Sequence, residues 1–289
     1  MEKSFDGHDT VCLIGEGKLT NSIAKNLAMS GQATVHLTPE SKWPDFIPCD
    51  LAIVISEENV ALKKQILQRL ESCVSKDTTI AINTESILLS ELQENRCHEG
   101  RMIGLNWSYP AESSFFLEII TNENTNPVHV ETVEDLARRE WGKDPYVVSS
   151  GFSVRGRLFA AMAKEAFYLV ENDYATIESI DRSCRNDAGY YMAFAGNFRY
   201  MDLMGTAVYG IVMETLNSDL ASQKEVGEQF LKLMEEGRSG MVTESGFYNY
   251  NRGDDSEWEE ITQQFAVKIR ELMESYPITF NYDTKISVL

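Results

Sequence analysis

The sequence of 289 residues lacks any apolar run of about 18 residues, the length that a membrane-spanning helix needs. Its first residues, MEKSFDGHDT, are polar and acidic, so we predict no secretory signal peptide. The five cysteines are odd in number and show no CxxC spacing, which argues against a disulfide framework or a zinc site. We therefore expect reduced thiols, no metal, no membrane partner and a cytoplasmic location.

Basic residues are also scarce, because 26 Lys and Arg stand against 45 Asp and Glu, which gives a formal net charge of −19. A negative field of this size repels the phosphates of a nucleic acid, and the sequence contains no basic patch that would offset it. We therefore expect no nucleic-acid partner. A single dinucleotide remains compatible with this charge, because backbone N–H groups at a helix N-terminus bind a pyrophosphate locally.

The first half of the chain alternates short apolar runs with amphipathic segments. Strands are predicted at residues 11–15, 33–37, 49–56, 78–83, 101–107 and 115–120. Helices are predicted at 16–31, 58–74 and 85–95, where apolar residues recur every three or four positions. This alternation is typical of a parallel sheet with helical crossovers, so we predict an α/β Rossmann domain over residues 1–150.

A glycine turn links the first predicted strand to the first predicted helix. Gly15 and Gly17, followed by Lys18 and Leu19, lie where a Rossmann domain binds the pyrophosphate of a dinucleotide. These residues are therefore candidates for cofactor binding. Thr20 occupies the third glycine position of the GxGxxG pattern, so the motif is incomplete.

The second predicted strand does not end in the acid that usually binds the ribose hydroxyls of NAD. Thr38 and Pro39 stand there instead, and Glu40 is the nearest acid. Two interpretations remain open at this point. One is a domain that binds NAD or NADP, and the other is a Rossmann scaffold that has lost tight nucleotide binding.

From residue 154 onward the apolar pattern changes to the helical period. Helices are predicted at 155–172, 175–186, 198–216, 225–237 and 256–276, with Thr176 as an N-cap and Gly237 at a C-terminal cap. We predict an all-α domain over residues 151–289, joined to the first domain near residues 149–154. Its Met and aromatic stripes favour a core or a dimer surface over a cofactor site.

Several stretches of the sequence, taken in order, resemble the 3-hydroxyacyl-CoA dehydrogenase family of fatty acid metabolism. They are VCLIGEGKLTNSIA, DLAIVISEENVALKKQIL, NTESI, MIGLNWSYP, FLEII, GFSVRGR, KEAFYLVENDYATIESIDRSC, AFAGNFRYMDLMG and SGFYNY. The resemblance covers residues 11–250. It implies a Rossmann domain that binds NAD or NADP, a helical domain like the C-terminal domain of 6-phosphogluconate dehydrogenase, a homodimer and a small-molecule substrate. It also makes Glu58, Lys63 and Asn83 candidates for cofactor binding.

The family transfers a hydride between NAD and a 3-hydroxyacyl thioester, and a His–Glu pair handles the hydroxyl proton. Carried over by position, the Glu is Glu118, whereas the position of the His holds Asn106. An asparagine amide donates hydrogen bonds but cannot accept a proton near neutral pH. The family Ser is Glu85 here, and the Asn after the His is Tyr109. We therefore interpret Glu85 beside Glu118, and Tyr109, as candidates for a replacement acid.

Two further family features depart from the pattern. The family Asn that contacts the reacting oxygen falls at Gly156, or at Arg155 if the stretch is shifted by one residue. The long helical excursion that carries much of the CoA contact is replaced by the short segment PESKWPDFIPC, so a smaller substrate or a partner protein would use this face.

Three hypotheses remain open from the sequence. The first is an NAD- or NADP-dependent oxidoreductase for a hydroxy or keto compound, with altered acid–base residues. The second is a catalytically inactive pseudoenzyme that uses the same fold for binding or assembly. The third is a lyase or hydrolase built on Glu85 and Glu118.

Overall fold

A computed structural model of the protein describes residues 10–276. The chain forms two compact units, Met1–Phe159 and Ala160–Leu289. The sequence-based boundary after residue 150 precedes this division. Among the described residues, no helix is long and apolar enough to cross a membrane.

The first unit is built on a seven-stranded sheet. Its strands are β1 (Val11–Ile14), β2 (Thr34–Leu37), β3 (Leu51–Val54), β4 (Thr79–Ile82), β5 (Met102–Trp107), β6 (Phe116–Ile120) and β7 (Asp144–Val148). The order across the sheet is β2-β1-β3-β4-β5-β6-β7. Strands β1 to β5 run parallel, β6 is antiparallel to β5, and β7 is parallel to β6. The strand order reverses at β1, which is where doubly wound sheets bind their ligands.

Helices cover both faces of this sheet. They are α1 (Lys18–Met29), α2 (Val60–Cys73), α3 (Leu89–Gln93) and α4 (Pro127–Arg139). Ile23 of α1 and Val133 of α4 pack into one core cluster, whereas Leu67 of α2 and Leu92 of α3 pack into the cluster on the opposite face. Because β1, β3 and β4 are buried on both faces, they are apolar without alternation, as parallel strands usually are.

The second unit is helical. Helix α5 (Val154–Glu171) leads into it. After α5 come α6 (Ile177–Ser183), a π-helical turn (Cys184–Ala188), α7 (Gly189–Phe194), α8 (Gly196–Met204), α9 (Thr206–Leu216), α10 (Glu228–Glu235) and α11 (Asp254–Ser275). Over residues 160–276, Ala195 is the only buried hydrophobic residue. Phe198, Ile211 and Phe265 are each more than 60% exposed. The described part of this unit therefore lacks an apolar interior of its own.

The structure confirms the predicted Rossmann and helical architecture, and all six predicted strands are present. Three elements were not predicted, namely α4, β7 and α7. Helix α4 presents only a narrow apolar stripe, and β7 is an edge strand with mostly exposed residues, so neither has a strong apolar pattern. Thr176 caps α6 through the N–H of Ser179, as predicted, and Gly237 follows α10 with a positive φ of 67°.

Two predicted helices were wrong in extent. The helix expected at 85–95 begins only at Leu89, because the backbone before it bonds to a side chain from another loop. The helix expected at 198–216 is broken at Gly205, whose φ of 104° ends α8 and starts α9. The tail after residue 276 lies outside the described residues.

Candidate functional site

The glycine turn after β1 is shaped to leave room for a ligand. A Cβ at Gly15 would lie 2.6 Å from the carbonyl oxygen of Ile55 and 2.9 Å from Oγ1 of Thr20. Gly17 has a φ of 90°, and a Cβ there would have no described neighbour within 4 Å. No side chain caps α1 at Gly17, and its first turn contains no acid. This helix N-terminus therefore fits the pyrophosphate of a dinucleotide.

Thr20 replaces the third glycine without blocking that turn. Its side chain is fully buried, and its hydroxyl donates to the carbonyl of Glu16 at 3.0 Å. The incomplete motif therefore still forms a tight turn, and the methyl and hydroxyl of Thr20 lie beneath it.

The connection from β2 to β3, residues 38–50, contains no helix. Arg69 of α2 donates to the carbonyls of Pro39 at 2.6 Å and Ser41 at 2.7 Å, and its guanidinium lies 4.1 Å from the ring centroid of Trp43. The indole N–H of Trp43 donates to Thr38 at 2.8 Å. This short loop thus packs against α2, and the two line a cavity of about 290 Å³.

Glu58, in the loop after β3, holds the backbone of the loop after β4. Its Oε1 accepts the N–H groups of Glu85 at 2.9 Å, Ser86 at 2.7 Å and Ile87 at 3.0 Å. Three successive N–H groups directed at one carboxylate oxygen form a concave anion-binding backbone. A side chain of the protein fills it here, which fixes the backbone from which Glu85 extends.

Lys63 of α2 ties the ends of β3 and β4 together. Its ammonium is fully buried and donates to the carbonyl of Asn83 at 2.7 Å and to its Oδ1 at 3.1 Å. It lies 3.4 Å from Oε2 of Glu58. Burial lowers the pKa of Lys63, and the charge of Glu58 opposes that shift. The Asn83 amide also exchanges two hydrogen bonds with the backbone of Ser56, at 2.9 Å each.

Asn106 on β5 is buried, and protein groups occupy its amide. Its Nδ2 donates to the carbonyl of Thr84 at 2.8 Å and to Oε2 of Glu118 at 2.9 Å, and its Oδ1 accepts the N–H of Thr84 at 2.8 Å. The amide therefore binds Thr84 as a neighbouring strand would. Asn106 holds the start of the Glu85 loop in this way.

Glu118 on β6 is fully buried at the N-terminus of α5. Its two oxygens accept hydrogen bonds from Tyr146 Oη at 3.0 Å, Val154 N at 2.9 Å, Arg155 N at 3.1 Å, Asn106 Nδ2 at 2.9 Å and Ser153 Oγ at 2.7 Å. A carboxylate at a helix N-terminus is stabilised by the helix dipole. Burial and the neighbouring Glu118 charge raise the pKa of Tyr146, so its hydroxyl stays a donor.

Glu85 and Arg155 form an ion pair at the edge of this cluster. Nη2 of Arg155 binds Oε1 of Glu85, and Nη1 donates to the carbonyl of Trp107 at 2.9 Å. The guanidinium lies 4.6 Å from the ring centroid of Phe116, and burial lowers the pKa of Arg155. The hydroxyl of Ser153 lies 3.1 Å from Oε2 of Glu85. The side chains of Glu85 and Arg155 are 36% and 35% exposed, so the pair reaches solvent.

The space around Gly156 shows which residue in the first turn of α5 reaches the site. A Cβ at Gly156 would lie 2.9 Å from the carbonyl oxygen of Glu85, so this position only gives room to the loop. The side chain that reaches the site is that of Arg155. Sequence reasoning left these two positions open and did not select Arg155 or Ser153. The sequence signal that could have indicated them is a serine directly before a helix, because serine is a common N-cap residue. In the structure Ser153 accepts the N–H of Gly156 and donates to Glu118.

Tyr109 lies in the loop after β5, is half-buried and precedes a cis peptide bond to Pro110. Lys143 supports this loop from below, since its buried ammonium binds the carbonyls of Ala111 and Ser114, the latter at 2.6 Å. The structure thus brings Glu85, Asn106 and Glu118 into one hydrogen-bonded cluster and gives Tyr109 a separate, fixed loop.

Two of the described histidines bond to groups outside this cluster. His36 Nε2 lies 3.1 Å from the carbonyl of Gly15, and His129 Nδ1 lies 2.7 Å from the hydroxyl of Thr79. His129 belongs to α4. His8 lies outside the described residues.

Two family models match the chain in sequence. The model of the 3-hydroxyacyl-CoA dehydrogenase NAD binding domain matches residues 32–151, and the model of the 3-hydroxyacyl-CoA dehydrogenase C-terminal domain matches residues 151–250. The two matches meet at residue 151, close to the start of α5.

Curated relatives agree with these models. 5-Formyl-3-hydroxy-2-methylpyridine 4-carboxylate 5-dehydrogenase of Mesorhizobium japonicum is 28% identical over 228 residues, which cover 78% of this chain and 73% of that protein. 3-Hydroxybutyryl-CoA dehydrogenase of Clostridioides difficile is 27% identical over 267 residues, which cover 85% of this chain and 92% of that protein.

Solved structures show the same relationship in three dimensions. The crystal structure of a 5-formyl-3-hydroxy-2-methylpyridine 4-carboxylic acid 5-dehydrogenase, an NAD⁺-dependent dismutase, has a TM-score of 0.84 at 25% identity and covers 93% of this chain and 100% of that chain. (S)-3-Hydroxybutyryl-CoA dehydrogenase of Ralstonia eutropha shares the fold, with a TM-score of 0.64 at 24% identity over 85% of this chain and 100% of that chain. The chain therefore belongs to the 3-hydroxyacyl-CoA dehydrogenase family of NAD-dependent oxidoreductases, and its residues 32–151 match the NAD binding domain of that family.

Proposed function

We propose that the protein is an NAD-dependent oxidoreductase that interconverts a small hydroxy compound and its keto counterpart, with acid–base residues that differ from the family His–Glu pair. The observation that carries this proposal is the glycine turn after β1, which stays tight although Thr20 replaces the third glycine of the motif. Gly15 and Gly17 leave the N-terminus of α1 uncapped by a side chain, at the point where the strand order reverses.

In this proposal the backbone of Gly15, Gly17, Lys18 and Leu19 holds the pyrophosphate of the cofactor. Bound NAD supplies the hydride acceptor. Glu40, an exposed residue that lines the cavity beside the β2–β3 loop, is the nearest acid to the end of β2 and would serve the adenosine end. We favour NAD over NADP because the matching family model describes NAD binding.

Glu58, Lys63 and Asn83 act on the cofactor site indirectly in this proposal. The ammonium of Lys63 is buried, and its contacts are with the ends of β3 and β4. Glu58 uses one oxygen to hold three N–H groups of the next loop. These side chains therefore fix the crevice beside the glycine turn.

The substrate that we propose is a free hydroxy or keto compound and not a CoA thioester. Residues 38–50 contain no helix, and Arg69 and Trp43 pack this loop against α2. The TM-score is 0.84 for a relative named for a free pyridine carboxylic acid and 0.64 for one named for a CoA thioester. The short loop and the closer likeness to the first relative both support a small substrate.

Fluorescence titration of the purified protein with NADH and NADPH tests the cofactor, and a panel of hydroxy acids, hydroxy aldehydes and 3-hydroxyacyl thioesters tests the substrate. We expect saturable NADH binding and turnover of a free compound. Absence of binding at millimolar concentrations of both cofactors would contradict the proposal. Gly15→Ala serves as the matched negative control for binding at the glycine turn.

A binding or assembly protein without catalysis is the second candidate. The observation that favours it is Asn106, because the position of the family His holds a buried amide whose groups bind Thr84 and Glu118. Removal of a general base typically lowers a rate by about 10²–10⁴. NADH binding without turnover of any class in the panel would favour this candidate over the oxidoreductase.

We also propose that the protein is a homodimer through its second unit. The described helices of residues 160–276 bury almost no side chain, and Phe198, Ile211 and Phe265 are largely exposed. Apolar patches of this extent mark an interface, and a second copy supplies the missing interior. Sedimentation equilibrium should give twice the mass of 32.7 kDa. A monomer at micromolar concentration would refute this.

A further inference from the structure

We propose that Glu85 and Arg155 together form the acid–base centre of the protein. Glu85 accepts the hydroxyl proton of the substrate, and Arg155 donates a hydrogen bond to the same oxygen. This inference rests on the proposed oxidoreductase function and deepens it, because it names the two side chains that stand in for the missing imidazole. The sequence had left the arginine only as an alternative to Gly156, and the structure shows that its side chain reaches Glu85.

The loop that carries Glu85 has a fixed backbone. Asn106 binds both the N–H and the carbonyl of Thr84, at 2.8 Å each. Glu58 accepts three successive N–H groups, beginning with that of Glu85. The ammonium of Lys63 binds the carbonyl that precedes Thr84, at 2.7 Å. Supporting contacts of this kind hold a functional side chain in one geometry.

Arg155 reaches the same place from the first turn of α5. Its Nη1 is bound to the carbonyl of Trp107, its planar face lies over Phe116, and its Nη2 meets Glu85. About one third of each partner side chain is open to solvent. The ion pair therefore presents a donor and an acceptor side by side to a group that enters from solvent.

The surrounding charges favour an uncharged reacting group. Glu58, Glu85 and Glu118 contribute three carboxylates, against the two cations Lys63 and Arg155. One net negative charge is left, so a substrate carboxylate placed on Arg155 would be repelled by Glu85 beside it. A hydroxyl or keto oxygen uses both partners of the pair without adding charge.

The proposed step balances for an alcohol. The O–H bond of the substrate breaks, and its proton goes to a carboxylate oxygen of Glu85. The C–H bond at the same carbon breaks with its electron pair, and this hydride goes to NAD, so the alcohol is oxidised to a carbonyl compound and NAD is reduced to NADH. Arg155 stabilises the negative charge that develops on the substrate oxygen. Glu85 then releases its proton to solvent, and ketone reduction follows the same path in reverse.

The test compares wild-type protein with Glu85→Gln, Glu85→Ala and Arg155→Met. Glu57→Gln is the matched control, because Glu57 is an exposed glutamate in the neighbouring loop. Thermal melting and NADH fluorescence titration first establish that each variant is folded and binds cofactor. Turnover is then measured on the compound that the wild type oxidises, with and without added formate.

We expect kcat to fall by about 10²–10⁴ in Glu85→Gln, as for loss of a general base. In Arg155→Met we expect a fall of about 10²–10³, as for loss of one oxyanion donor. NADH binding should be unchanged in both. Formate should restore part of the rate of Glu85→Ala, because a small carboxylate fills the vacated place, and should not restore that of Arg155→Met.

The outcomes separate this inference from the proposed function. Reduced turnover with intact NADH binding and formate rescue supports the Glu85–Arg155 centre. If Glu85→Gln keeps more than a tenth of the wild-type kcat, the Glu85–Arg155 centre is refuted, whereas the proposed oxidoreductase function is not. A wild-type protein without turnover on the whole panel overturns the oxidoreductase function and this inference with it.

Discussion

Glu118→Gln is the substitution that tests most directly how the cluster is held together. The change keeps the size of the side chain and replaces one carboxylate oxygen by an NH₂ group. If the remaining oxygen faces Tyr146, Val154 and Arg155, the new NH₂ group faces Nδ2 of Asn106, which is itself a donor. The substitution therefore breaks the hydrogen bonds that Asn106 Nδ2 and Ser153 Oγ donate to this oxygen, and the Ser153 hydroxyl can turn to accept from the new NH₂ group whereas Asn106 Nδ2 cannot. A buried donor is left unpaired, and the charge is removed from the N-terminus of α5.

The cost follows from three contributions. A buried donor left without a partner costs about 1–3 kcal/mol. The lost attraction between a charge and a helix N-terminus costs about 0.3–2 kcal/mol. The hydrogen bonds that remain are accepted by a neutral amide oxygen and not by a carboxylate, so each of them is weaker. We expect a loss of about 3–5 kcal/mol in the free energy of unfolding, in line with removal of one partner from a buried charged network. This corresponds to a fall in Tm of about 10 °C for a unit of this size.

Urea unfolding followed by tryptophan fluorescence measures this loss, since Trp107 and Trp141 lie in the first unit. Glu123→Gln is the control, because Glu123 is an exposed glutamate shortly after β6, and its substitution should change stability by less than about 0.5 kcal/mol. A loss below about 1 kcal/mol for Glu118→Gln would refute the assignment of Glu118 as the acceptor that organises Asn106, Ser153 and α5.

Three further predictions address other parts of the first unit. Gly15→Ala should lower stability by more than about 1 kcal/mol and abolish NADH binding, because its Cβ would lie 2.6 Å from a backbone oxygen; unchanged NADH affinity would contradict this. Burial lowers the pKa of Lys63 below its unfolded value near 10.5, so the unfolded state binds this proton more tightly and stability should rise with pH between the folded and unfolded values. Lys63→Met should remove that rise in urea titrations between pH 8 and about 10.5, and an unchanged slope would count against it. The buried thiols of Cys12, Cys49 and Cys73 should resist a disulfide reagent until the protein unfolds, whereas the exposed Cys97 should react in the native state. A hydrogen bond with Cys49 and burial also raise the pKa of Cys12, which lowers its reactivity further.

The architecture could be predicted from the sequence because its signals are local. Apolar runs without alternation identify strands buried on both faces, and β1, β3 and β4 are of this kind. Helix α4 was not predicted because its apolar stripe is narrow, although Asn126 and Pro127 are typical of a helix start. The break between α8 and α9 depends on the positive φ of Gly205, which the apolar pattern does not encode.

The site was only partly predictable, because its logic depends on contacts between distant segments. Glu85, Asn106 and Glu118 were selected by position in a family pattern, and the structure shows that they meet. Arg155 was left as one of two alternatives. The sequence alone does not show which cation pairs with Glu85, because Arg155 lies 70 positions away. The choice between them required the space that Gly156 leaves for the Glu85 backbone.

The departures from the family pattern depend on one another. A glutamate in place of the family Ser would leave a carboxylate unpaired at the edge of a buried cluster, and Arg155 neutralises it. An asparagine in place of the family His gives up proton transfer, yet its amide binds Thr84 and so fixes the loop from which Glu85 extends. Glu118, which would orient an imidazole, instead organises that amide and the first turn of α5, where Arg155 begins. The changes to Glu85 and to Asn106 are thus each matched by a contact with another residue of the cluster, which supports our proposal that the acid–base chemistry lies in the loop after β4 and not on β5.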